Sequence, residues 1–202
     1  MMFIAREDKE DGPVRPNHQA LYQRLITYAT GAGNGPFVAQ MLSSWMAGRS
    51  SLPRCMGLGE DRFKAMVAGL FPGYHAVDLQ SCPDVEPERV SELEDVRSLL
   101  LAHRSNRSDE ELWIADIVAT GCMGDDHLWS DLGLFERKYL SEMLLYNFRP
   151  LAEQNTNNMR WKKFFYRQLC AREGFILCRS PSCESCSEFS ECFASQECEQ
   201  KK

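Results

Sequence analysis

The sequence lacks a long uninterrupted hydrophobic run. Its longest useful apolar stretch, Ala65 to Phe71, includes a glycine, whereas a membrane helix needs roughly 18–20 apolar residues. The apolar start, Met1 to Ile4, is followed by a charged run that begins at Arg6, so no secretory signal is predicted. We therefore expect a soluble, cytoplasmic protein without a membrane partner.

The chain also has fewer basic than acidic residues. The chain has 23 Lys and Arg residues against 29 Asp and Glu residues, which gives a net charge of −6. This balance provides no general attraction to phosphate backbones or anionic lipid, and we expect no nucleic-acid partner. Neither a G-x-S-x-G motif nor a Cys-His signature for nucleophilic catalysis is present. The sequence therefore predicts a protein that is not an enzyme.

The length of 202 residues suits one domain with a terminal appendage. Alternation with period two is missing, while apolar residues recur at helical spacing along most of the chain. The predicted fold class is therefore all-α, a single helical domain with a four-cysteine cluster-binding loop. We predict a mobile lead-in at residues 1–16, the helical domain at 17–172 and a cysteine-rich cluster-binding segment at 173–202.

The clearest helical pattern is formed by the apolar residues Phe63, Met66, Val67, Leu70 and Phe71. The predicted helix ends at Pro72-Gly73. Further helices are predicted from about Asn17 to Gly31, from Pro36 to Gly48, from about Glu88 to His103, after Ser108 and near Leu128. Ser108 and Glu111 match the pattern of a capping box. Gly57-Leu58 and Gly133-Leu134 precede similar helices, which indicates either a duplicated helical unit or a coincidence of helical spacing.

Nine cysteines are present, and four of them form the motif C-x4-C-x2-C-x5-C: Cys178, Cys183, Cys186 and Cys192. In a cytoplasmic protein, clustered thiols are more often metal ligands than disulfides. The compact beginning of the motif matches the spacing of plant-type ferredoxins, which favours an iron–sulfur cluster. Structural zinc and unrelated thiols are the alternatives. Cys198 repeats the x5 interval, and it either replaces a ligand or, as we expect, is a spare thiol. The dispersed Cys55, Cys82, Cys122 and Cys170 are interpreted as ordinary core or surface residues.

The segment before this motif is rich in basic residues and has no acidic residue between Met159 and Cys170. At helical spacing, Arg160, Lys163 and Arg167 share one face, and Trp161, Phe164, Phe165 and Leu169 share another. We expect the aromatic face to pack on the core. The basic face would screen the cluster, collect an oxyanion or meet an acidic partner, or it is simply solvated.

Several motifs occur in a specific order: Gly124-Asp125-Asp126-His127-Leu128-Trp129, then Asp131-Leu132-Gly133-Leu134, then residues 155–164, and finally Gln168-Leu169-Cys170 before the four cysteines. From roughly residue 52 to residue 193 the chain thereby resembles the NifQ family of nitrogen-fixation proteins. The resemblance implies a molybdenum donor for the iron–molybdenum cofactor of nitrogenase, and it matches the four cysteines to the family's cluster motif one for one. It also implies molybdate or a molybdenum–sulfur species as cargo, and as partners the cofactor-assembly scaffold (NifEN) and the nitrogenase iron protein.

The donor chemistry agrees with a cluster of molybdenum, iron and sulfur. Three cysteines suffice for three irons, and the fourth either holds molybdenum or is the ligand that is released, because molybdenum also accepts harder oxygen or nitrogen donors. Asp125, Asp126 and His127 offer such donors, although their simpler role is to begin the helix near Leu128. His18, His75 and His103 show no partner pattern and are read as surface or core residues.

Two other functions also involve a compact group of cysteines. A DNA-repair glycosylase with a structural iron–sulfur cluster also contains C-x2-C-x5-C, but it needs a helix-hairpin-helix and a basic surface that this acidic chain lacks. A zinc-stabilised interaction module would be colourless and would unfold on chelation.

Overall fold

The computed structural model describes residues 17–31, 33–75 and 90–173, and within these ranges it contains helices and no strand. The predicted all-α fold class is therefore confirmed for this part of the chain. The helices are α1 (His18–Ile26), α2 (Gly35–Met46), α3 (Glu60–Leu70), α4 (Val90–Leu101), α5 (Glu110–Cys122), α6 (Leu128–Asp131), α7 (Arg137–Asn147), α8 (Arg149–Ala152) and α9 (Trp161–Glu173), with a 3-10 turn at Arg54–Gly57. The predicted lead-in at 1–16 and the cysteine-rich segment from residue 174 onward lie outside the described residues.

Two helices form the centre of the protein. Helix α5 buries every residue from Ile114 to Cys122, and α2 buries every residue from Val38 to Trp45. A helix that is enclosed on all sides belongs in the core, whereas an amphipathic helix covers it with one face. Helix α1 packs against α2, α3 and α4 pack against α5, and α9 packs against α4.

The helical spacing in the sequence predicted these elements well. In α3, the buried residues are Phe63, Met66, Val67 and Leu70, as expected. In α4, Val96, Leu99 and Leu100 are buried and Leu93 is half-buried against the core. Periodicity succeeds here because each of these helices has one face on the core and one face in solvent.

Helix α1 begins as predicted but ends earlier. The Asn17 side chain accepts a hydrogen bond from the Gln19 N–H at 2.9 Å and caps the first turn. The helix ends at Ile26 and not near Gly31, because the next three residues donate to carbonyls three positions back and tighten the chain into turns.

The predicted capping box at Ser108 and Glu111 is wrong in detail. The Glu111 carboxylate accepts the N–H groups of Asn106 at 3.1 Å and Arg107 at 2.8 Å, and it pairs with Arg104 Nε at 2.9 Å. The Ser108 hydroxyl is buried and has no hydrogen-bond partner in the described part of the chain. The buried carboxylate of Glu111 therefore binds one cation and two backbone donors in the loop before α5. It does not form the reciprocal hydrogen bonds of a capping box.

The two units noted in the sequence share backbone geometry. Gly57 and Gly133 both adopt left-handed conformations, with φ of +82° and +77°. Each is followed by an 11-residue helix, α3 or α7, that ends at a phenylalanine cap with φ of −132° or −135°. Such agreement in glycine conformation, helix length and cap favours duplication over coincidence.

The lengths of the helices bear on the membrane expectation. The longest described helices, α5 and α9, have 13 residues each, whereas a spanning helix needs about 20. Within the described ranges, none of the helices combines the length and apolar character required to cross a bilayer.

Candidate functional site

Helix α9 leads directly into the predicted metal site. It ends at Glu173, and residues 174–177 separate it from Cys178, the first cysteine of the motif. Cys178, Cys183, Cys186 and Cys192 all lie outside the described residues. As a donor set, four thiolates fit an iron–sulfur cluster or zinc. The structure shows how α9, the helix before these cysteines, is held against the rest of the protein.

The aromatic face of α9 anchors it to the core, as predicted. Trp161, Phe164 and Phe165 are buried, with the rings of Trp161 and Phe165 5.9 Å apart. The indole Nε1 of Trp161 donates to Ser141 Oγ at 3.1 Å, so its polar atom is satisfied at the same time. Leu169 is half-buried against the same cluster. The start of the cysteine-rich segment is therefore attached to a rigid helix.

A buried ion pair fixes the first turn of α9. Lys162 Nζ lies 2.5 Å from Asp131 Oδ2 and donates a further hydrogen bond to the Gly124 carbonyl at 2.7 Å. Both charged side chains are buried. Lys162 belongs to the basic segment of the sequence, but because it is buried it does not contribute to an exposed basic surface. No short-range pattern links Lys162 to Asp131, so single-sequence reasoning missed this pair.

Asp131 joins further segments of the chain to the same point. Its Oδ1 accepts a hydrogen bond from Ser51 Oγ at 2.7 Å, and its Oδ2 accepts the Asp126 N–H at 3.2 Å. Its backbone carbonyl accepts the Ser51 N–H at 3.0 Å. A buried carboxylate is tolerated because a cation and several donors surround it.

Gly124 is required by this arrangement. A Cβ atom at this position would lie 2.5 to 2.7 Å from the carboxylate atoms of Asp131, closer than non-bonded atoms approach. The glycine of the Gly124-Asp125-Asp126-His127 motif therefore has a packing reason, namely the close approach of its backbone to a buried carboxylate.

Asp126 lies two residues before α6, whose N-cap is His127 and has no side-chain capping hydrogen bond. Its Oδ1 accepts the His127 N–H at 2.7 Å and its Oδ2 accepts Ser130 Oγ at 2.9 Å. The hydrogen bond from the His127 backbone, helped by the one from Ser130, holds the pKa of Asp126 below its ordinary value. Asp125 is exposed and His127 is half-buried.

The described residues do not assemble a metal site of their own. Across 17–31, 33–75 and 90–173, no group of three or more His, Cys, Asp or Glu side chains is arranged to hold a metal ion. Asp125, Asp126 and His127 therefore do not form a complete site with described neighbours. Ligation of molybdenum by His127 together with the cysteines stays a prediction.

The remaining cysteines and histidines fit the roles expected of them. Cys55 and Cys122 are buried and Cys170 is half-buried, and none of the three forms a disulfide with a described residue, while Cys82 and Cys198 lie outside the described residues. His103 Nδ1 lies 2.8 Å from the Leu99 carbonyl, and His75 is exposed. His18 packs edge-on against Phe135, and burial, with a smaller contribution from Arg49, lowers the pKa of its imidazole.

The basic face of α9 is partly exposed. Arg160 and Lys163 are half-buried and Arg167 is exposed. Near Arg167, residues 154–159 and the middle of α9 enclose a small cleft of about 160 Å3.

Comparison with known proteins gives a consistent result. Residues 37–194 match the sequence model of the NifQ family, so the match begins earlier than the resemblance from residue 52 indicated. The chain is 42% identical to "Protein NifQ" of Azotobacter vinelandii over 174 residues, covering 81% of this chain and 89% of that protein. It is 38% identical to "Protein NifQ" of Rhodobacter capsulatus over 174 residues, covering 83% and 95%. No solved structure matches the chain significantly.

Proposed function

The chain belongs to the NifQ family of nitrogen-fixation proteins, and on this basis we propose that it supplies molybdenum for the iron–molybdenum cofactor of nitrogenase. Its cargo is a cluster of molybdenum, iron and sulfide held by Cys178, Cys183, Cys186 and Cys192. The protein binds and donates this cargo in the cytoplasm and is not an enzyme.

The observation that carries the proposal is the position of the cysteines in the family match. The matched residues, 37–194, include all four cysteines of the motif and end before Cys198. Thiolates are soft ligands that suit iron in a sulfide cluster, while molybdenum accepts sulfide together with harder donors. Three cysteines serve the irons, and the fourth is available to hold molybdenum or to be released during transfer.

The described fold supports a carrier in a further way. Its described residues from Leu25 to Tyr166 form one extensive hydrophobic core. The ion pair between Lys162 and Asp131 and the aromatic face of α9 then fix the helix from which the motif follows. A cargo held by a segment that follows such a core in the sequence can be transferred to another protein without unfolding the carrier.

The partners follow from the same proposal. The cofactor-assembly scaffold (NifEN) and the nitrogenase iron protein receive or accompany the cargo, and molybdate or a molybdenum–sulfur species supplies it. The basic face of α9, with Arg167 exposed, suits an acidic partner or an oxyanion, because association follows the local field.

Metal analysis tests the proposal directly. Protein purified without oxygen from molybdenum-fed cells should be brown and contain iron, acid-labile sulfide and molybdenum. Recovery of stoichiometric zinc with no sulfide from the same preparation would contradict the proposal and support the zinc-stabilised module.

A pair of variants assigns the ligands. Cys186→Ser should lose most of its iron and sulfide, because serine replaces a thiolate within the motif. Cys170→Ser is the matched control, since Cys170 is a half-buried free thiol on α9 outside the motif, and it should retain the wild-type cluster content. Equal losses in the two variants would show that the motif is not the cluster site.

A further inference from the structure

The cleft beside α9 is lined mainly by polar residues. On one side lie Thr156 and Asn157 of the loop before α9, and on the other lie Arg167 and Gln168 of the helix itself, with Phe164 between them. The volume of about 160 Å3 accommodates several water molecules or one small tetrahedral anion.

The side chains of Thr156, Asn157, Arg167 and Gln168 make no hydrogen bond or ion pair with any described residue. None of the residues lining the cleft is acidic. Glu153, the acidic residue nearest in sequence, pairs with Arg149 at 3.1 Å. The cleft thus presents a guanidinium, two amides and a hydroxyl without a competing carboxylate, and this donor set favours an anion with several oxygen acceptors.

The loop that presents Thr156 and Asn157 is held in one conformation. The Asn155 side chain accepts the Met159 N–H at 2.8 Å and donates to the Met159 carbonyl at 2.8 Å. Arg137 donates to both the backbone carbonyl and the side-chain oxygen of Asn158, at 2.9 Å each. Asn158 has a left-handed φ of +49°, which asparagine tolerates better than most residues. A loop fixed in this way loses little entropy when it binds a ligand.

The charge around the cleft points to the same ligand. Lys163 and Arg167 share one face of α9 and Arg160 directly precedes the helix, whereas the neighbouring acidic residue, Glu153, is paired with Arg149. The ring of Phe164 is buried and forms an apolar wall, and charge-assisted hydrogen bonds are stronger beside such a wall than in open water.

We infer that this cleft is a binding site for a tetrahedral oxyanion, and that its ligand is molybdate. The choice of molybdate over other oxyanions rests on the proposed function. The anion binds intact, with its oxygens accepting from Arg167, Thr156 and the amides, and no bond is formed or broken there. The site lies on the helix that leads into the cysteine motif, so it would hold molybdate before molybdenum enters the cluster.

The test is equilibrium dialysis of the full-length, cluster-free protein against molybdate. Arg167→Gln should weaken binding by at least about tenfold, because it removes the charged donor. Thr156→Val, which keeps the shape of the side chain, should weaken it by a smaller factor. Arg24→Gln is the matched control: Arg24 is exposed on α1 beside Tyr74, and its loss changes the net charge equally but should leave binding unchanged.

Two results would overturn the inference: no molybdate binding by wild type, or equal weakening in Arg167→Gln and Arg24→Gln. Competition with other oxyanions identifies the ligand class. Tungstate should displace molybdate, whereas sulfate competing as strongly as tungstate would show a general sulfate-type site and reject molybdate as the specific ligand.

A cysteine variant separates this inference from the proposed function. Cluster-free Cys186→Ser should bind molybdate as wild type does, because the cleft contains no motif cysteine. Binding that depends on Cys186 and not on Arg167 would reject the cleft and leave the carrier proposal standing. Binding that depends on Arg167, in a protein that never acquires iron and sulfide, would support the oxyanion site and reject the carrier.

Discussion

Lys162 Nζ contacts Asp131 Oδ2 at 2.5 Å in the protein interior, across a separation of 31 positions in the sequence. The pair connects the first turn of α9 with the short helix α6 and the turn before it. Because α9 precedes the cysteine motif in the sequence, this contact fixes the start of the helix that leads to the motif. Its importance rests on burial, since removing one partner of a buried pair leaves an uncompensated charge.

Lys162→Met should therefore lower the free energy of unfolding by about 3–5 kcal/mol. The side chain of methionine fills similar space, but the Asp131 carboxylate loses its cation. Urea unfolding followed by circular dichroism at neutral pH measures the loss.

Lys64→Met is the matched control for this variant. Lys64 Nζ also lies 2.5 Å from a carboxylate oxygen, that of Glu60, but both side chains are exposed. An exposed pair contributes about 0–1 kcal/mol, so this substitution should have little effect. Similar small losses in both variants would show that burial of the Lys162–Asp131 pair does not determine its contribution.

Substitution of two glycines by alanine should change stability in opposite directions. Gly124→Ala places a methyl group against the Asp131 carboxylate and should cost about 1–3 kcal/mol, as overpacking of a buried site does. Gly69→Ala lies within α3, where the nearest atom, Trp113 Cη2, is 3.7 Å from the new Cβ. It should stabilise the protein by about 0.5–1 kcal/mol, because alanine favours the helix. Thermal unfolding of the two variants in parallel checks the signs, and destabilisation by Gly69→Ala to the same extent would contradict the steric argument.

The helices could be predicted from the sequence, but the contacts between them could not. Apolar spacing locates α3 and α9 because each has one face on the core, and the same spacing correctly separates Trp161, Phe164 and Phe165 from the basic face. The partner of Lys162 is decided by tertiary packing, which no local period encodes. The cleft could not be predicted from the sequence either, because it depends on a backbone turn at Asn158.

The Asp126 carboxylate gives a prediction for how the stability of the protein depends on pH. Hydrogen bonds to the Asp126 carboxylate lower its pKa from the ordinary value of 3.8, so the ionised form is stabilised in the folded protein. This contribution is fully present above the ordinary pKa and is lost as the pH falls towards the lowered one. Asp126→Asn keeps an oxygen that accepts the His127 N–H but removes the charge. The variant should therefore lose less stability than wild type between about pH 6 and about pH 3.

Ser130→Ala provides the control for that argument. It keeps the Asp126 charge but removes one hydrogen-bond donor, so the pKa of Asp126 should rise towards its ordinary value. A titration of the Asp126 carboxyl carbon by nuclear magnetic resonance in wild type and Ser130→Ala measures this shift. An unchanged carboxyl pKa would mean that the serine contact does not stabilise the ionised form.

Replacement of cysteine by serine should separate cluster binding from folding. Cys183→Ser should remove most of the cluster and leave the helical circular-dichroism signal nearly intact, because the described helices bury an extensive hydrophobic core of their own. Cys122→Ser should instead lower the stability of the fold and leave the cluster content unchanged. Cys122 is fully buried at the end of α5, and a hydroxyl in that position costs about 1–3 kcal/mol, while the motif keeps all four thiolates. Metal analysis and thermal unfolding of both variants give the two readouts. A small zinc-dependent domain unfolds without its metal, so loss of the helical signal in Cys183→Ser would show that the cysteines stabilise the fold, and a transferable cargo would then be the wrong description of the cluster.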